Sequence, residues 1–237
     1  MRLDKLLANM GFGSRKEVKT LVKQKQVTVN GKVVKDSGMK IDPSKDEVRV
    51  KEQLVEYKPF IYLMMNKPPG YISATEDRYD KTVIDLLSPE YQHYEPFPVG
   101  RLDKDTEGLL LLTNDGQLAH QLLSPKKDVG KTYYARILGN VTERDIEQFA
   151  SGVVLEDGYK SKSAKLSILS SGEISEIEVI VTEGKYHQVK RMFEAVDKKV
   201  IYLKRLSMGE LHLDEALKLG EYRELSVNEL NYCQSLK

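Results

Sequence analysis

Between residues 98 and 116 the chain reads Pro98-Val99-Gly100-Arg101-Leu102-Asp103-Lys104-Asp105-Thr106-Glu107-Gly108-Leu109-Leu110-Leu111-Leu112-Thr113-Asn114-Asp115-Gly116. Two carboxylates, Asp103 and Asp105, and two cations, Arg101 and Lys104, crowd a polar stretch that opens directly into an apolar run. A buried strand is a rigid platform, and the loop before it can hold side chains in a cleft. Paired acids so placed could do acid–base chemistry. The same residues also describe a solvated turn, and spacing alone favours that plainer reading.

The elements that would position this stretch follow from hydrophobic patterning. Residues 61–65 form an apolar strand candidate, stopped by Asn66-Lys67-Pro68-Pro69-Gly70 because proline donates no ladder bond. Further strands are expected at 108–113, 132–138, 164–169, 174–182 and 200–206, and helices at 82–87, 117–123, 142–150 and 187–196. Asn114-Asp115-Gly116 is a turn able to cap the helix that follows. Strands and helices mix without regular βαβ alternation. The fold class expected is α+β with a mainly antiparallel mixed sheet flanked by helices.

The N-terminal segment differs in character. Leu3, Leu6, Leu7 and Met10 fall at helical spacing, and Gly11 and Gly13 end that helix. Ser14 and Glu17 are spaced as a capping box for a second helix with Val18, Leu21 and Val22 on its apolar face. Asn30-Gly31 between Val27-Thr28-Val29 and Lys32-Val33-Val34 predicts a hairpin. Residues 1–35 hold nine Lys or Arg against two acids, a surplus of seven. With an overall charge of +1, the remaining residues sum to −6. Such a basic segment is the footprint of a nucleic-acid grip or, equally, a solvated face. The division expected is residues 1–54 as a basic domain, 55–59 as a linker and 60–237 as a second domain; the resemblances below imply RNA binding for the first and catalysis for the last.

Two resemblances sharpen this reading. Arg2-Leu3-Asp4-Lys5-Leu6-Leu7, Ser14-Arg15 and the hairpin of residues 27–34 resemble the small RNA-binding domain named after a small-subunit ribosomal protein. That resemblance implies phosphate contacts from Arg2, Lys5, Arg15, Lys16 and Lys19. Gly100-Arg101-Leu102-Asp103, Thr106, Gly108–Thr113 and Asn114-Asp115-Gly116 are similar to the signature of the pseudouridine synthases, in the branch typified by the small-subunit rRNA enzyme A. Residues 63–71, Lys131-Thr132-Tyr133 and 183–192 are similar to that family's other motifs, in the family's order. The resemblance implies that Asp103 is the catalytic carboxylate, that Lys190 is its cationic partner and that Tyr133 is the active-site tyrosine. Arg101 would fill the space left by the flipped base or hold a flanking phosphate. His187 could be a general base, but the resemblance assigns it no catalytic role.

The expected activity is therefore isomerisation of a uridine in 16S rRNA, free or in a small-subunit assembly intermediate, by an Asp-dependent mechanism without a cofactor. The alternatives are a 23S rRNA target, a non-catalytic clamp that binds rRNA during ribosome assembly, and a carboxylate-dependent nucleoside hydrolase. Four histidines and the single Cys233 show no metal-ligand spacing, so no metal is expected. No apolar run is long enough for a membrane span, and the start lacks a signal-peptide core. A cytoplasmic monomer is the expectation.

Overall fold

The computed structural model describes residues 1–124 and 127–236. The chain divides into two compact units: Met1–Ile61 with Leu87–Pro96, and Tyr62–Leu86 with Phe97–Lys237.

The first unit opens with helices α1 (Leu3–Asn9) and α2 (Arg15–Lys23). Ser14 caps α2 reciprocally: its backbone N–H donates to Glu17 Oε2 at 2.7 Å, and Glu17 N–H donates to Ser14 Oγ at 3.3 Å. Strands β1 (Val27–Val29) and β2 (Lys32–Val33) form the expected hairpin. Asn30 and Gly31 both take positive φ, 52° and 74°, the twist a two-residue hairpin loop needs. Strands β3 (Val48–Val50) and β4 (Gln53–Leu54) complete an antiparallel sheet in the order β2-β1-β3-β4. Leu3, Leu6, Leu7, Val18, Val22, Val27 and Val50 bury together beneath it. Residues 55–59 are not a free linker. Val55 is buried in the same core with its N–H on Val48 O, and Tyr57 packs against it. The short helix α3 (Pro89–Gln92) lies in the 87–96 segment that groups with this unit. The expected division places that segment within the domain of residues 60–237, whereas its contacts group it with the first unit.

The second unit holds β5 (Tyr62–Lys67), β6 (Phe97–Val99), β7 (Glu107–Thr113), α4 (Gly116–Leu123), β8 (Lys131–Leu138), α5 (Glu143–Ser151), β9 (Lys165–Ser170) and β10 (Ile174–Val181). It continues with α6 (Gln188–Glu194), β11 (Lys199–Met208), β12 (Leu211–His212), β13 (Tyr222–Glu224) and α7 (Val227–Ser235). The sheet runs β13-β5-β7-β11-β8-β10-β9, with β6 beside β7 and β12 beside β11. Its pairings are antiparallel except the parallel contact of β7 with β11. The α+β expectation therefore holds. Helices α5 and α6 cover one part through Phe149, Val189, Met192 and Phe193. Helices α4 and α7 cover another through Leu118, Leu122 and Cys233.

Two local expectations shift. The 82–87 segment is a single 3-10 turn, Val83–Leu86, because Asp85 Oδ2 accepts from Thr82 N–H at 2.7 Å and closes a tight cap. Strand β5 continues through Asn66 and Lys67 before the prolines end it. Strands β3, β4, β6, β12 and β13, and helices α3 and α7, had no sequence expectation.

Candidate active site

The site is built on the start of β7. Gly108 pairs with Lys67 of β5 on one side and with Arg205 of β11 on the other. Arg205 in turn pairs with Tyr133 of β8, so Lys67, Gly108, Arg205 and Tyr133 form one lateral row across four strands. Gly108 has φ +101°, and a Cβ there would lie 2.2 Å from Arg205 O. Only glycine allows this approach, which brings β11 against the root of the loop.

The loop itself is pinned from below. Thr106 N–H donates to Asp103 O at 3.1 Å and closes a turn over residues 103–106. Lys67, fully buried, donates its ammonium to Thr106 O at 2.9 Å, Pro68 O at 3.0 Å and Lys104 O at 3.4 Å. Gly70 N–H also reaches Lys104 O at 2.7 Å. Ser73 Oγ donates to Leu102 O and accepts from Leu102 N–H, both at 3.0 Å. At the rim, Lys104 pairs with Asp80 at 2.6 Å. A loop held through its backbone leaves its carboxylates free to face outward.

Asp103 faces α6. Its side chain is 26% exposed, with Oδ2 3.1 Å from Lys190 Nζ and Oδ1 3.4 Å from His187 Nε2. Lys190 is shared, because its ammonium also donates to both oxygens of Asp105, at 2.7 and 2.9 Å. Helix α6 is fixed by burial of Val189, Met192 and Phe193, so Lys190 arrives on a rigid element.

The electrostatics follow from two ammonium groups among three acids. Burial pushes Lys67 down to about 8, against the pull of the Asp105, Asp103 and Glu107 charges. Burial also disfavours charge on Lys190, but its hydrogen bonds to Asp105 and Asp103 outweigh this and raise it. Partial burial pushes the Asp105 carboxyl up, yet the hydrogen bond and charge of Lys190 leave it below its ordinary value. Tyr202 donates to Glu107 Oε2 at 2.7 Å; its phenol is raised first by burial and then by that bond. The result is a carboxylate, Asp103, paired with a cation on a stiff platform and placed to act as nucleophile or base.

Of the residues expected from sequence, Asp103 and Lys190 are in direct contact. Tyr133, on β8, is half-buried and packs against the core. Among the described residues no hydrogen bond or ion pair joins it to Asp103; it stands two strands from Gly108, roughly 10 Å at ordinary strand spacing. Arg101 is exposed at the mouth of the loop. In the first unit Lys5, Arg15, Lys16 and Lys19 are exposed. Arg2 is less free, since its Nε and Nη2 grip the buried Asp4 carboxylate at 3.0 and 2.7 Å. That pair holds the Asp4 carboxyl below its usual range. Sequence reasoning missed the anchoring by Lys67 and Ser73 and the hold of Asp105 on Lys190. A lysine two residues past an apolar strand candidate was the one available signal.

Residues 61–195 match the model of the RNA pseudouridylate synthase family, and residues 1–48 match that of the S4 domain. The chain belongs to the RNA pseudouridylate synthase family, isomerases that act on RNA, with an N-terminal S4 domain. An uncharacterized RNA pseudouridine synthase of Bacillus subtilis (strain 168) is 57% identical over 98% of this chain and 97% of its own. Ribosomal large subunit pseudouridine synthase B of the same organism is 39% identical, covering 99% and 96%. Ribosomal small subunit pseudouridine synthase A of Yersinia pestis is 39% identical, covering 97% of each chain.

Proposed function

We propose that this chain converts one uridine of 16S ribosomal RNA to pseudouridine, with Asp103 as the reacting carboxylate. The reaction breaks the N1–C1′ bond and forms a C5–C1′ bond, while one proton leaves C5 and one is taken up at N1. No electrons are gained or lost, so the chemistry asks for a nucleophile or base and no redox group. The observation that carries the reading is Asp103 itself, partly open to solvent and ion-paired with Lys190 at 3.1 Å. Lys190 gives that carboxylate a cationic partner when a bound base displaces water. The target uridine must leave its stack to reach Asp103. Tyr133 then offers a ring against the base, and Arg101 meets a flanking phosphate or fills the vacated space. Lys5, Arg15, Lys16 and Lys19 supply a salt-dependent grip on the RNA, with Arg2 contributing least because Asp4 holds it.

The small-subunit target is supported by the sequence Tyr186-His187-Gln188-Val189-Lys190, the form usual in that branch. The large-subunit relative is as similar as the small-subunit one, so a 23S target is the second reading. Pseudouridine mapping decides it, on 16S and 23S rRNA from cells lacking the gene and from cells carrying wild type or Asp103→Asn. Loss of a 16S site, restored by wild type and not by the variant, is expected. Loss of a 23S site instead overturns the target, and restoration by Asp103→Asn overturns the mechanism.

A further inference from the structure

Tyr186 is a large aromatic side chain left 74% exposed beside the candidate active site. Its ring lies on that of His187, with centroids 3.8 Å apart and planes 18° from parallel. Neighbouring side chains on an extended chain point to opposite sides. His187 has φ +47°, and this left-handed backbone brings the two rings together. His187 is the residue whose Nε2 stands 3.4 Å from Asp103. The open ring of Tyr186 is thus one stacked residue away from the carboxylate.

The loop that carries Tyr186 is braced on both sides. Glu183 accepts from Tyr159 Oη at 2.6 Å, from Lys162 N–H at 2.9 Å and from Gln188 Nε2 at 2.6 Å. Gln188 Oε1 accepts from Lys185 N–H at 3.1 Å, and the Lys185 ammonium sits 4.8 Å from the centre of the Tyr159 ring. Asp157 pairs with Arg191 at 2.6 Å. A loop braced this way, with the ring stacked on His187, presents a preformed surface and loses less freedom on binding than a free loop would.

We propose that Tyr186 is a stacking platform for an unpaired nucleobase beside the target uridine. The proposal rests on the RNA-isomerase reading for where that base comes from. Once a uridine is flipped out of its stack, a neighbouring base loses a partner and has a free face. Every nucleobase has a π-face that an exposed aromatic can cover. Lys185, next to Tyr186 in the chain, adds a positive charge that suits a phosphate backbone better than an apolar protein partner.

The chain contains no tryptophan, so a full-length Tyr186→Trp protein carries one reporter at this position. Titration with a twelve-nucleotide uridine RNA is expected to quench its fluorescence, and the same backbone made abasic is expected not to. In single-turnover assays on 16S and 23S transcripts, Tyr186→Ala is expected to raise the half-saturating RNA concentration about 10-fold or more. The saturated rate should change less, and Tyr186→Phe should restore wild-type behaviour. Equal quenching by the abasic strand, unchanged half-saturation in Tyr186→Ala, or failure of Phe to rescue overturns the platform. Unchanged RNA binding would leave a protein contact as the use of the ring. If wild type modifies neither transcript nor ribosomal assembly intermediates from cells lacking the gene, the isomerase reading fails, and the oligonucleotide titration still decides the stacking proposal alone.

Discussion

Lys67→Met tests whether the loop is held by a buried cation. Lys67 is fully buried, and burial lowers it from 10.5 to about 8 despite three nearby acids. That depression corresponds to about 3 kcal/mol of lost preference for the charged form. Between these two values the unfolded chain still carries the Lys67 proton and the folded chain has released it. The folded state therefore gains stability as pH rises through the window from about 8 to 10.5. Methionine fills a similar volume and has no proton to release. The stability of wild type relative to Lys67→Met is expected to improve by about 2 kcal/mol between pH 7 and pH 10. Equilibrium urea unfolding followed by circular dichroism, run on both proteins across that range, measures the difference. The variant also removes the donor to Pro68 O and Thr106 O, so turnover should fall even where stability is unchanged, because the 103–106 turn loosens. A stability difference that stays flat from pH 7 to pH 10 refutes the buried-cation argument.

Gly108→Ala places a Cβ 2.2 Å from Arg205 O at a backbone φ of +101°, so β7 and β11 must part. A loss of about 3 kcal/mol or more is expected, and a thermal midpoint equal to wild type would contradict the close approach. Replacing Lys16 and Lys19 together by Ala should weaken rRNA binding and flatten log affinity against log salt by roughly 1.5 in slope, since each phosphate contact contributes about 0.7 to 0.9. Parallel salt titrations would remove these lysines from the RNA grip.

Local signals carried much of the fold by themselves. The Ser14–Glu17 box, the Asn30-Gly31 hairpin and the Asp115 cap involve residues at most a few positions apart. Their physics is complete within one turn of chain. The apolar run of β7 was legible for the same reason, as were the strands that became β8, β10 and β11. Periodicity and composition say that a segment is buried, but not against what. Strand β13 is three residues long and exists through its pairing with Met65, Met64 and Leu63, far away in sequence. Nothing in Tyr222-Arg223-Glu224 alone announces that partner.

The candidate site divides along the same line. By its motifs the sequence alone determined the family resemblance, the nomination of Asp103, Lys190 and Tyr133, and the basic character of the first 35 residues. Only the tertiary structure decided that Lys190 divides its hydrogen bonds between Asp103 and Asp105, since Lys190 and Asp105 lie 85 positions apart. It also decided that Lys67 is buried beneath the loop and that Gly108 must lack a side chain because Arg205 O stands there. These are statements about distance and desolvation. Both arise when strands that are remote in sequence pair side by side and exclude water, and neither is a property of any short stretch of residues.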